Sequence, residues 1–265
     1  MQTLKKIGFL KKVFIFAVLI VLGFSSCKKD DTIEPVRDVA EQAIADDQSL
    51  EDFLSSHYYN YKDFENSSGP VEIVIDSILE NDDSKTPLLE QVKKRVISVK
   101  KSDGTFVDHN LYVLIAKEGT GIHPASVDST YVTYEGQLLN GTVFDMSNTP
   151  VWFDLSNRVV RGFREGLSEF KSGSFEVAND NTVTFNNYGQ GILFFPSGLG
   201  YFNNPSGAIP SYAPLIFKIN LLLVNPTDHD GDGIPTADEY DSDGDGVADD
   251  TDGDGILDYL DNDSN

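Results

Sequence analysis

An Asn-Gly pair at 140–141, set between two β-patterned runs and followed by a helical one, constrains this chain more than any other feature. On its N-terminal side Tyr131 and Thr133 alternate with Val132 and Tyr134, and on its C-terminal side Val143-Phe144 resumes the apolar run. A two-residue reversal that needs positive φ, between alternating strands, predicts a β-hairpin. Phe163, Leu167 and Phe170 then recur at i, i+4 and i+7, with Gly173 as a C-terminal stop. This spacing predicts one short amphipathic helix packed on the sheet.

Further motifs fall in a fixed order. Tyr134-Glu135-Gly136, Asn140-Gly141 with Phe144-Asp145, and Val159-Val160-Arg161-Gly162-Phe163 with Glu165-Gly166-Leu167 lead to Tyr201, Ile209-Pro210 and Leu215-Ile216-Phe217. This series, over roughly 111–224, resembles the FKBP-type peptidyl-prolyl isomerases. The resemblance implies an α+β fold, an antiparallel sheet wrapped around one short helix; the flanking sequence, read by itself below, adds a helical N-terminal extension and an acidic repeat tail. The resemblance also implies a pocket lined by Tyr134, Phe144, Val159, Val160, Phe163, Ile209 and Phe217, with Asp145 and Tyr201 supplying polar groups at its edge. By the same resemblance Tyr201 donates a hydrogen bond to a substrate carbonyl, and Asp145 orients Tyr134 or meets the twisting carbonyl. No cofactor is implied for catalysis. The sequence departs from the family at three places: Phe163 stands where Trp is usual, Val151 replaces a pocket aromatic, and Phe202 follows Tyr201 where Gly is expected. The loop after Asp145 is also short and carries no Arg.

The ends of the chain need separate readings. Lys5, Lys6, Lys11 and Lys12 precede an apolar run over Val13–Phe24, with Ser25-Ser26 before Cys27. This is the pattern of a secretory signal, residues 1–26. Ending at a cysteine, it resembles a bacterial lipoprotein signal, although Phe24 stands where Leu is preferred. The resemblance implies lipidation of Cys27 and a membrane partner through a lipid anchor. It places the protein at the outer membrane, facing the periplasm or the cell surface. The charged Lys28-Lys29-Asp30-Asp31 resembles the export tags of surface lipoproteins. An uncleaved anchor is the alternative, and a run of 12 apolar residues is short of the ~20 that span a bilayer. Cys27 is the only cysteine, which excludes disulfides and cysteine-ligated zinc within the chain. Residues 27–110 read as an extension, a spacer or a dimerisation arm. Val39, Ala43, Leu50, Phe53 and Leu54 suggest one or two amphipathic helices, the second capped by Asp47 or Ser49. The isomerase-like domain is expected over 111–225. Within it Ser174–Gly191 reads as an inserted hairpin or flap, and Ser197–Pro214 as a long loop of the functional kind.

From 226 to 265 the composition changes: Asp228–Asn265 holds 15 acids and no Lys or Arg. Asp228, Asp230, Asp232, Gly233 and Glu239 fit a D-x-D-x-D-G-x₅-E calcium loop. Asp241, Asp243, Asp245 and Gly246 repeat its first half, as do Asp250, Asp252, Asp254 and Gly255. Overlapping loops without long flanking helices resemble thrombospondin type 3 repeats, which implies bound Ca²⁺. The alternative is a solvated acidic tail.

Charge narrows the function classes. With 43 acids against 20 bases, a net −23, the chain lacks the basic surface that nucleic acid requires. His57, His109, His123 and His229 share no metal-ligand spacing, and neither a nucleophile elbow nor a P-loop is present. Proline-containing polypeptides are the expected partners. Three readings follow: a prolyl isomerase, a non-catalytic module that binds proline segments, and a calcium-dependent surface structural protein.

Overall fold

The computed structural model describes residues 35–65, 67, 69–242 and 248–263. The signal-like segment with Cys27, and Asp243, Asp245 and Gly246 of the acidic repeats, lie outside the described residues. The chain divides into two units, residues 1–36 and residues 37–265, and the elements below belong to the second. No helix among the described residues is long and apolar enough to cross a membrane.

Helix α1, Val39–Ser56, is a single helix. Its start is fixed by Asp38, whose side chain accepts hydrogen bonds from the Ala40 and Glu41 amides at 2.9 and 3.1 Å. Asp47 and Ser49, expected as caps, lie inside it: Ser49 Oγ bonds back to the Ala45 carbonyl, and Asp47 accepts from Tyr112. Strands β1 (His57–Tyr59) and β2 (Ile75–Ser77) pair with each other, with the short helix α2 (Tyr61–Glu65) between them. The main sheet is built from β3 (Lys93–Lys100), β4 (Phe106–Lys117), β5 (Ser129–Leu138) and β6 (Val143–Asp154). Helix α3 (Arg161–Leu167) and the small hairpin β7 (Ser174–Val177) and β8 (Val183–Asn186) follow, and β9 (Gly189–Phe195) and β10 (Leu215–Asn225) complete the sheet. Its order is β3-β4-β9-β10-β5-β6, antiparallel throughout.

The organising hairpin forms with a different turn. Only Gly141 takes positive φ, at 82°, and the Leu138 amide bonds the Thr142 carbonyl across Leu139-Asn140-Gly141. The connection is a three-residue loop ending in a left-handed glycine. The helix is also shorter than expected. It ends at Leu167, yet Phe170 beyond it remains fully buried. The inserted hairpin over Ser174–Gly191 is present as β7–β8.

The sheet is covered on both faces. On the front, α3 lays Phe163 and Leu167 against Leu111, Val113, Val132, Leu193, Phe195, Phe217 and Ile219. On the back, α1 lays Leu50, Phe53 and Leu54 against Tyr112, Leu114, Ile192, Phe194 and Ile216. Fully burying such a side chain contributes about 1.5–3 kcal/mol, so each helix is held mainly by its buried face. This corrects the sequence-based division. A boundary between 110 and 111 cuts through β4, and residues 39–110 supply β3, half of β4 and the cover of the back face. The cause is that strands buried on both sides need a second helix, and the N-terminal segment provides it.

Candidate active site

Two irregularities in β6 shape the site. Gly136 opposes Asp145 while Gln137 opposes Val143, which leaves Phe144 as an extra residue. Successive residues of a regular strand point to opposite faces; the bulge breaks that rule. Phe144 thereby packs on the front core, 5.5 Å from Phe217, while Asp145 accepts a 2.8 Å hydrogen bond from the Tyr134 hydroxyl. Gly136 makes this possible, because a Cβ there would sit 2.5 Å from the Phe144 ring. Further along, the five residues of β6 from Ser147 to Val151 stand against three of β5, Val132 to Tyr134, and beyond this second irregularity Phe153 packs on the front core.

The extended backbone of Val160 ends the loop after β6 and starts α3 without a side-chain cap. Val159 and Val160 therefore face the same hollow as Phe163 in the first turn. Gly162 lets that turn settle on β9, since a Cβ would meet the Phe195 ring at 2.4 Å. The result is a cavity of about 400 Å³ lined by Tyr134, Asp145, Phe153, Asn157, Arg158, Val159, Val160, Phe163, Tyr201 and Phe217. Its floor is an edge-to-face aromatic cluster, with ring centroids 5.2 Å apart for Phe163 and Phe217 and 5.9 Å for Phe153 and Phe163. Burial, reinforced by the hydrogen bond to Asp145 and its charge, pushes the Tyr134 phenol up to about 12. The rim residue Asn157 donates to Asp154 at 3.1 Å. Burial works against the Asp154 carboxylate, but hydrogen bonds from Ser156 and His229 outweigh it and hold that group below the usual range.

Seven of the nine expected pocket residues line one cavity. Phe144 and Ile209 do not: Phe144 supports Phe217 from behind, and Ile209 is buried in the front core. Phe153, Asn157 and Arg158 belong to the lining and were not expected. The aromatic missing at Val151 is supplied by Phe153, two residues on and on the same face. Phe202 adopts the conformation that the expected glycine would hold, with φ of 48°. That region is costly for a bulky residue.

Among the described residues the acidic tail forms two loops of like construction. Asp228, Asp230 and Asp232 have ligand atoms within 4.8 Å of one another, and so do Asp250, Asp252 and Asp254. Asp228 accepts from the Gly231 and Gly233 amides, and Asp250 from those of Gly253 and Gly255. All four glycines have positive φ. Glu239 is buried with both carboxylate oxygens lacking a hydrogen-bond partner among the described residues. Burial, then the charges of Asp230, Asp232 and Asp228, pushes it up to about 7. Asp241 lines a cavity with Arg161, Arg164 and Tyr240. The tail rests on the domain through His229, 3.5 Å from Asp154, and Tyr240, whose hydroxyl meets Arg164 at 3.4 Å.

Known proteins resemble this chain in sequence over its central part. The sequence profile of the FKBP-type peptidyl-prolyl cis-trans isomerases matches residues 121–222. That segment is a domain of this family. The chain is 32% identical over 138 residues to the FKBP-type isomerase FkpA of Aeromonas hydrophila, covering 51% of this chain and 46% of that protein. It is 31% identical over 139 residues to the FKBP-type 22 kDa isomerase of Escherichia coli, covering 51% and 60%. The chain thus spans about half the length of these curated relatives. A longer alignment with Escherichia coli FkpA is 28% identical over 214 residues, 79% of this chain and 69% of that protein. The crystal structure of Escherichia coli FkpA aligns with a TM-score of 0.40 at 22% identity, covering 70% of this chain and 62% of that one. The profile match starts at Gly121, so β3, β4 and α1 lie outside it although they build the same sheet and its back cover.

Proposed function

We propose that the domain accelerates cis–trans isomerisation of X-Pro peptide bonds in exported polypeptides and so assists their folding. The observation that carries this reading is the aromatic-floored cavity, with Tyr134 and Asp145 hydrogen-bonded to each other on one side and Tyr201 on its wall. The uncatalysed barrier, ~18–20 kcal/mol, reflects amide resonance lost as the C–N bond twists. No bond is broken, so a pocket lowers the barrier by binding the twisted amide better than the planar one. Phe163, Phe153 and Phe217 take the proline ring and exclude water. Tyr201 donates to the carbonyl that precedes or follows the twisting bond. Asp145 holds Tyr134 in place by accepting the hydrogen bond from its hydroxyl. A protease-coupled assay with Ala-Pro and Leu-Pro peptides tests this: the full chain raises the isomerisation rate above background in proportion to its concentration. Binding of those peptides without acceleration would replace the enzyme by a proline-segment binding module.

The N-terminal sequence supports export and anchoring through lipidated Cys27. Replacing Cys27 by Ser then moves the protein from the membrane to the soluble fraction.

A second site is supported by the tail. The paired orphan oxygens of Glu239 beside Asp228, Asp230 and Asp232 fit a divalent cation, because a buried carboxylate among like charges otherwise lacks compensation. Those four residues would hold Ca²⁺ in the first loop, and Asp250, Asp252 and Asp254 would contribute to another. The ion supplies charge balance and cross-linking of the loop, not chemistry at the pocket. Calorimetry on the full chain is expected to show calcium binding in the range of about 10⁻⁴–10⁻³ M, and Glu239→Gln weakens the first site. Equal heats from magnesium and calcium would remove this reading.

A further inference from the structure

The loop that carries Tyr201 is tied to α1 at two places, and the family-matched segment contains neither tie on the α1 side. Asp46, in the middle of α1, is 2% exposed. Its Oδ2 accepts from both the amide and the hydroxyl of Ser197, at 2.8 and 2.6 Å, and its Oδ1 accepts from Gln42 Nε2 at 2.6 Å. Ser197 is itself fully buried. Its carbonyl accepts from the amides of Gly200 and Phe202, each at 2.9 Å, so the amide groups of the residues on either side of Tyr201 hang from the residue that Asp46 grips. The second tie is at the start of the helix. The Arg37 guanidinium lies 4.4 Å from the centre of the Tyr212 ring, and the Arg37 amide donates to the Tyr212 hydroxyl at 3.1 Å. Tyr212 in turn donates its amide to the Phe202 carbonyl at 2.6 Å and sets its ring edge-on to Phe202. Arg37 also reaches Gln42 Oε1 at 2.9 Å, which joins the two ties into one chain, Tyr212–Arg37–Gln42–Asp46–Ser197.

Phe202 and Tyr212 both have positive φ, at 48° and 63°. A non-glycine residue stays in that region only where its surroundings fix it. A carboxylate buried this deeply would lose stability without strong partners, and here two of its three hydrogen bonds come from Ser197. Burial raises the Asp46 pKa against the lowering effect of its bonds to Ser197 and Gln42, in keeping with a tightly enclosed group.

We propose that Asp46 is a positioning residue for the pocket: through Ser197 it sets Tyr201 against the cavity, and α1 is a built-in brace of the catalytic loop. This rests on the isomerase reading for its kinetic consequence, though the structural consequence stands without it. Asp46→Ala in the full chain lowers kcat/KM by about threefold to tenfold, the scale of one hydrogen bond, and Asp46→Asn, which keeps an oxygen for Ser197, falls nearer the parent. In a Tyr201→Phe background the same substitution costs little more, because its effect runs through the Tyr201 hydroxyl. A general loss of stability would instead lower both backgrounds alike. Should Asp46→Ala fail to fold, Ser197→Ala, which removes one of the two bonds, takes its place in the cycle. Amide hydrogen exchange, read in parallel, is expected to speed up at Gly200 and Phe202 in these variants and to stay unchanged in α3. A folded Asp46→Ala protein with parental kinetics and parental exchange at 200 and 202 overturns the proposal. Faster exchange there, in a parent that isomerises no peptide, keeps the brace and discards the isomerase.

Discussion

The two faces of the sheet are built from similar material and do different work. The front carries α3, seven residues long, and beside it a hollow that stays open because short helix and bulged strand leave part of the aromatic cluster uncovered. The back carries α1, eighteen residues long, laid on the neighbouring strands with Leu50, Phe53 and Leu54 buried against them. A site needs a rigid floor with an exposed side, and rigidity comes from burying the reverse of the same strands. Phe194 and Ile216 face α1 while their neighbours Phe195 and Phe217 support the pocket. The lesson is that the extension outside the family-matched segment belongs to the machinery of the domain.

The largest effect that sharpens this contrast is expected from Phe163→Ala. It removes the ring that both Phe153 and Phe217 meet edge-on, costing about 3–5 kcal/mol of stability. In molecules that stay folded, isomerisation falls by at least about tenfold. Leu54→Ala on the back is expected to cost about 2–5 kcal/mol in a denaturant melt, yet to leave kcat/KM of the folded fraction at the parental value. A tenfold kinetic loss there would erase the distinction between the faces. Tyr201→Phe deletes one donor and keeps the ring, so a loss of about threefold to tenfold in kcat/KM is expected. Asp145→Ala, which strips Tyr134 of its partner, falls between Phe163→Ala and Tyr201→Phe.

The smallest effect concerns pH. His109 is buried in β4 under Gly198, and neither ring nitrogen has a hydrogen-bond partner among the described residues. Burial, then the nearby Arg161, lowers its pKa. The unfolded chain thus binds this proton more readily than the folded one. Stability from a neutral His109 is complete above the unfolded value of about 6.5 and is lost as pH falls toward the lowered folded value. Melts between neutral and mildly acidic pH are expected to show this decline, and His109→Leu to reduce it.

The parts of this arrangement that sequence makes legible are those fixed by local spacing. Asn140-Gly141 and the Phe163–Leu167 interval suffice for hairpin and helix, and the order of motifs brings seven lining residues to one cavity. What sequence hides is set by tertiary packing. Val151 and Phe153 lie on the same face of β6, and the cavity is lined by Phe153 and not Val151, a choice that alternation along the strand does not make. Leu50, Phe53 and Leu54 make the same pattern whether α1 covers its own sheet or another surface. The Asn-Gly pair suits a two-residue reversal and a three-residue loop ending in a left-handed glycine alike, so it does not fix the length of the turn.

The most direct test follows the resonances of the protein while an Ala-Pro peptide is titrated under conditions of exchange. The ring signals of Phe153, Phe163 and Phe217 are expected to shift with occupancy, those of Phe53 and Phe194 on the back to stay in place, and cis–trans exchange of the bound peptide to accelerate in step. Acceleration with the three front rings unmoved, or shifts confined to the α1 face, would contradict the proposed site.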